Sequence, residues 1–81
     1  MSNISPVIDY DNICEAVGIR VADGDHIVKA AVTSLKFCTS LKDLVRKANS
    51  QRSVAVKKKA FLSAFIYDTI SRQAELELEN E

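Results

Sequence analysis

An all-α fold, a small bundle of three or four helices, is predicted by three features of the sequence. Glycine and proline are confined to Gly18, Gly24 and Pro6, too few for the many turns of an all-β chain. Apolar side chains recur at spacings of three and four rather than two, the period of a helix with one buried stripe. The first three apolar runs also follow good helix caps, Ser5, Asp25 and Ser40, whose side-chain oxygens accept from the free amides of a first turn.

The first helix is predicted to begin with Ser5 as N-cap and Pro6 at the first helical position, a favoured pairing. It ends near Val17, where Gly18 is free to take the left-handed conformation that closes a helix. Val7, Tyr10, Ile13, Cys14 and Val17 form its core-facing stripe. A loop over Gly18 to Gly24 follows. Asp25, or Asp23 for an earlier start, caps the second helix, whose buried arc is Ile27, Val28, Ala31, Leu35 and Cys38. Carried on to Ala48 as one helix, this pattern drifts, because Lys42 and Arg46 rotate onto the side of Val28 and Leu35. Ser40 with Asp43 three residues later reads as a capping box, so a break or sharp bend is predicted there. The third helix then starts at Leu41, with Leu41, Leu44, Val45 and Ala48 inward. Asn49-Ser50 should close it, since both residues favour turns.

The last helix is predicted from Gln51 or Ser53 to near Ala74. It is apolar on both faces: Phe61, Leu62, Phe65 and Ile66 on one, Val56, Ala60, Tyr67, Ile70 and Ala74 on the other. Such a helix is either central to a bundle or shared with a partner chain. Residues 1–74 read as one helical domain. Residues 75–81, with a glutamate at every second position, read as an acidic tail that frays.

At 81 residues the chain holds one domain at most, of a size that often relies on a partner subunit. Two cysteines are too few for a disulfide scaffold, so Cys14 and Cys38 are expected as free thiols of a cytoplasmic protein. The N-terminal residues lack the basic and apolar regions of a signal peptide. The longest nearly unbroken apolar stretch, Ala60 to Tyr67, is far short of the ~20 residues that span a bilayer, so no membrane partner is expected.

Charge is unevenly distributed behind a net value of zero. Residues 1–28 set Asp9, Asp11, Glu15, Asp23 and Asp25 against Arg20 alone, a net of −4. Residues 29–59 carry nine cations against Asp43, a net of +8, and residues 60–81 carry five carboxylates against Arg72, again −4. A basic middle between acidic ends suits a polyanion, an acidic protein, or the ends of a sister chain.

The candidate chemistry is sparse. Asp23-Gly24-Asp25-His26, with Asp9 and Asp11, is the one metal-like constellation, yet it lacks a calcium-loop pattern. His26, Cys14 and Cys38 have no zinc-ligand spacing. We read those aspartates as helix caps and expect no metal and no cofactor. One histidine with no spacing tie to either cysteine gives no nucleophile–base pair, and neither glycine belongs to a phosphate-binding loop. No catalytic residue, no small-molecule substrate and no enzymatic activity are therefore expected.

Two functions remain. The preferred one is a small accessory or regulatory protein that binds another protein, as a homodimer, through Phe61, Leu62, Phe65 and Ile66, since aromatic anchors dominate interface energy. The basic middle of one chain would then face the acidic ends of its neighbour. The alternative is nucleic-acid binding through Lys29, Lys36, Arg46, Lys47, Arg52, Lys57, Lys58 and Lys59. In an unbroken central helix Lys29, Lys36 and Lys47 share one line. The seven residues from Ile13 to Ile19, with Ala16 and Gly18 at the turn, resemble the front half of a helix-turn-helix. The loop predicted after them is longer than that motif's turn, and the acidic ends would repel a duplex unless they point away.

Overall fold

The computed structural model describes residues 7–18 and 21–80, without the side chains of 21–25. Four helices run through them, with no strand among the described residues: α1 (Tyr10–Val17), α2 (Val21–Leu35), α3 (Leu41–Lys57) and α4 (Phe61–Glu79).

Helix α1 starts later than the sequence predicts. Asp9, extended at φ −72° and ψ 130°, is its N-cap, and the Asp9 carboxylate accepts from the Asn12 backbone N–H at 3.2 Å. The predicted cap pair Ser5-Pro6 lies outside the described residues, but Val7 and Ile8 are not helical. Both are nonetheless buried in the core. Ile8 just before the cap and Ile13 four positions after it are both buried, the placement of a hydrophobic staple. Apolar spacing alone therefore extended the helix by a turn too many. The other end is as predicted: Gly18 is left-handed at φ 77°, and its N–H donates to the Cys14 carbonyl at 2.9 Å.

Only Gly18 to Arg20 separates α1 from α2. The predicted loop to Gly24 is thus corrected: the backbone of Asp23, Gly24 and Asp25 is already helical, so neither aspartate is an N-cap. Gly24 costs a helix only about 1 kcal/mol relative to alanine, a small penalty against the burial of Val28, Ala31 and Leu35 further along α2.

The break at Ser40 is present. Ser40 Oγ accepts from the Asp43 N–H at 3.1 Å, and α3 begins at Leu41 as the capping box predicts. Leu41, Leu44 and Ala48 are buried and Val45 is half-buried. Asn49-Ser50, however, does not end α3. Asn49 Oδ1 instead accepts a 2.8 Å hydrogen bond from Ser71 Oγ on α4, so a residue read as a turn former serves as a partly buried link between helices.

The chain turns at Lys58–Ala60, where the sequence shows no turn signal. Lys59 is left-handed at φ 61°. Its N–H donates to the Val56 carbonyl at 3.0 Å, and the Ala60 N–H donates to the Ala55 carbonyl at 2.8 Å. These two bonds are those of a Schellman motif, with lysine where glycine is usual. The predicted helix from residue 51 to 74 is therefore two pieces, the end of α3 and the whole of α4. Helix α4 also passes the predicted end near Ala74 and reaches Glu79, with Leu78 half-buried against the core.

Helices α3 and α4 form an antiparallel hairpin with the most extensive contact in the molecule, and α1 and α2 both lie against α4. Val28, Leu35, Leu41, Leu44, Ile66 and Ile70 are its fully buried large side chains. The radius of gyration, 11.7 Å, matches the roughly 12 Å of a compact chain of this length. None of the described helices is long and apolar enough to cross a membrane.

Candidate interaction surface

Helix α4 makes the most extensive contacts with the rest of the molecule, and its core side is set by small and branched residues. Ala64, Ile66, Ile70, Ser71 and Ala74 are buried there, and Tyr67 is half-buried with its hydroxyl 3.2 Å from Ser34 Oγ of α2. Advancing 100° per residue, this leaves Phe61, Leu62, Phe65, Thr69, Arg72 and Leu76 on the outward side. Phe61 is 64% exposed, Phe65 51%, Leu62 38% and Leu76 58%. Of the four residues predicted as an interface, Phe61, Leu62 and Phe65 face outward together. Ile66 does not, being wholly buried in the core. Apolar character alone cannot divide adjacent residues between two apolar faces, and 100° of rotation separates Phe65 from Ile66.

Leu76 is the member of this surface that its place in the acidic tail concealed. The spacing of Leu62, Phe65, Thr69, Arg72 and Leu76, three and four in alternation, is the signal that identifies it. Thr69 presents no unpaired hydroxyl, because its Oγ1 donates to the Phe65 carbonyl at 2.9 Å. Arg72 Nε pairs with Asp68 Oδ2 at 3.0 Å, and Arg52 Nη1 of α3 donates to Asp68 Oδ1 at the same distance. Val54 and Val56, near the hairpin turn, are also exposed.

The basic side chains are divided among α2, α3 and the turn before α4. Lys29 and Lys36 lie on α2 and Lys47 lies beyond the break at Ser40, so the single line expected of an unbroken helix is absent. Lys29 Nζ stands 5.8 Å from the centre of the Tyr10 ring, and Lys36 Nζ stands 5.5 Å from that of Phe37. Phe37, 74% exposed between α2 and α3, is a third outward aromatic, and one that the sequence did not single out. Arg46 and Lys47 both pair with Asp43, at 2.6 and 3.8 Å. The Arg46 hydrogen bond is the main influence holding the Asp43 carboxyl below its usual value. Lys57, Lys58 and Lys59, at the hairpin turn, are exposed and form no ion pair with the described residues.

Cys14 and Cys38 are free and buried. Burial, reinforced by the nearby Asp43 carboxylate, pushes the Cys38 thiol above its usual value, which makes it a poor nucleophile. Asp9 is a helix cap, and the described residues hold no cluster of three metal-ligating side chains; the side chains of Asp23 and Asp25 lie outside them. A shallow depression of about 270 Å³ between α1 and α4, lined by Asn12, Glu15, Ala16 and Gln73, contributes a single ionisable group, Glu15.

The surface with the most developed chemistry is thus the outward face of α4, an apolar stripe with cations before it and carboxylates at its far end. No protein-family model matches the chain, and neither do curated proteins or solved structures at a significant level.

Proposed function

We propose that this protein is a non-catalytic accessory or regulatory module that acts by binding protein, and that it does so as a homodimer. One observation carries this reading: Phe61, Leu62, Phe65 and Leu76 project from the same face of α4 into solvent. Exposed apolar residues gathered on one face mark interaction sites, whereas scattered ones are ordinary. With the core on its opposite side, α4 then serves two interfaces, and both of its apolar faces have a use. Two buried thiols fit a reducing compartment, which supports the cytoplasm as its location.

The test is Phe65→Asp, read by sedimentation velocity and circular dichroism. The wild-type protein is expected to sediment as a dimer of its 8.9 kDa chain, and the variant as a monomer of unchanged helicity. A wild type that stays monomeric at high micromolar concentration rejects the homodimer. A variant that dimerises like the wild type rejects this face.

Nucleic-acid binding is the second reading. The observation favouring it is the connection of three residues between α1 and α2, shorter than predicted and close to the tight turn of helix-turn-helix proteins. Lys57, Lys58 and Lys59 would be its phosphate contacts.

A further inference from the structure

Resting on the protein-binding reading of this face, we propose that its occupant is the α4 of a second copy, packed antiparallel so that the Lys57-Lys58-Lys59 turn of each chain meets the glutamate-rich end of the other. The first support is electrostatic. A helix carries partial positive charge at its N-terminus and partial negative charge at its C-terminus. Helix α4 is charged against that direction: its first turn has no acid and follows three lysines, while its last turn has no base and carries Glu77 and Glu79, with Glu75 just before. Lys57 to Lys59 find no carboxylate among the described residues to offset this. A parallel neighbour would set lysines beside lysines and glutamates beside glutamates. An antiparallel neighbour opposes both the charges and the helix dipoles.

The second support is the stripe itself. Thr69 lies seven residues after Leu62 and seven before Leu76, so the stripe is nearly symmetric about its own centre. A two-fold axis near Thr69 is what a self-complementary interface needs. It brings Leu62 and Phe65 of one chain against Leu76 of the other, with Arg72 within reach of the partner's Phe65 ring, a favourable cation–aromatic pairing. Thr69 at the centre has its hydroxyl already bonded within the helix, so it brings no unpaired donor to the interface. Leu62 and Leu76 are about 21 Å apart along the axis at 1.5 Å per residue, which separates the two orientations by far more than a side chain's length.

The experiment mixes Leu62→Cys and Leu76→Cys proteins, treats them with a short bismaleimide, and maps the cross-links by mass spectrometry. Covalent 62–76 pairs between chains are expected. Pairs of 62 with 62 and of 76 with 76 would overturn the antiparallel arrangement while leaving the homodimer standing. A wild type that is monomeric throughout overturns both together. A second measurement uses charge and needs no cysteine. Lys57→Glu, Lys58→Glu and Lys59→Glu together should weaken dimerisation roughly tenfold or more at low salt, and adding Glu77→Lys and Glu79→Lys in the same chain should restore it. Dimerisation unaffected by the triple change, with helicity retained, also overturns the arrangement.

Discussion

At the scale of single residues, two left-handed positions end helices among the described residues, and only one of them is a glycine. Gly18 at φ 77° closes α1, and a Cβ added there would meet no atom within 4 Å. The whole cost of Gly18→Ala therefore lies in the backbone, about 1 kcal/mol for an L-residue forced into that region. Urea denaturation should show that loss, with unchanged slope. Lys59 occupies the same region at φ 61° and accepts this cost itself. That explains why the end of α1 is legible in the sequence and the end of α3 is not. The Ser40 cap was legible for the same kind of reason, since its hydrogen bond to Asp43 spans three residues and needs nothing from the rest of the molecule.

At the scale of elements, the α3–α4 hairpin is the framework, and its register is held by polar links as well as apolar burial. The Asn49–Ser71 hydrogen bond joins the two helices near their middle, and Arg52–Asp68 joins them nearer the turn. Ser71 is the one polar residue among the buried set of the described chain. Removing its acceptor with Asn49→Ala leaves a buried hydroxyl unpaired, which costs about 1–3 kcal/mol. Asn49→Ala with Ser71→Ala should recover part of that loss in a double-mutant cycle measured by thermal unfolding. The Arg52–Asp68 pair is more exposed, and pairs of that kind contribute only about 0–1 kcal/mol. The sequence reads Asn49 as a helix stop because turn propensity is local. Its partner, twenty-two residues away, is supplied only when the hairpin closes.

At the scale of the whole molecule, the net charge of zero conceals a distribution that the two functional readings use differently. If Lys57, Lys58 and Lys59 engage a sister chain, a mixed-sequence duplex should not bind at physiological salt. Fluorescence anisotropy titrated from low to physiological salt checks this. The opposite outcome, duplex affinity that falls steeply with salt, would favour nucleic acid instead. The log–log slope should then shrink by about 0.9 for each phosphate left without its lysine when Lys57, Lys58 and Lys59 are replaced by Gln. The carboxylate pairing of several other cations supports the first outcome. Arg46, Lys47 and Arg52 already hold carboxylates, and Lys29 and Lys36 stand on a different helix.

The sequence by itself determined the helical class, the capped start of α3, the glycine end of α1, and the candidate apolar anchors Phe61, Leu62 and Phe65. Each of these follows from interactions within a few residues of the chain, or from the 3.6-residue period. Tertiary structure decided the start of α1 at Asp9, the passage of α3 through Asn49-Ser50, the turn at Lys59, and the continuation of α4 to Glu79. It also decided that Ile66 faces inward and Leu76 outward. Those outcomes depend on what a distant helix supplies: a hydroxyl for Asn49, a core for Val7 and Ile8, a wall for Leu78. Local propensity is worth at most about 1 kcal/mol per residue outside proline. Full burial of one large apolar side chain is worth about 1.5–3 kcal/mol, so where the two conflicted, packing prevailed.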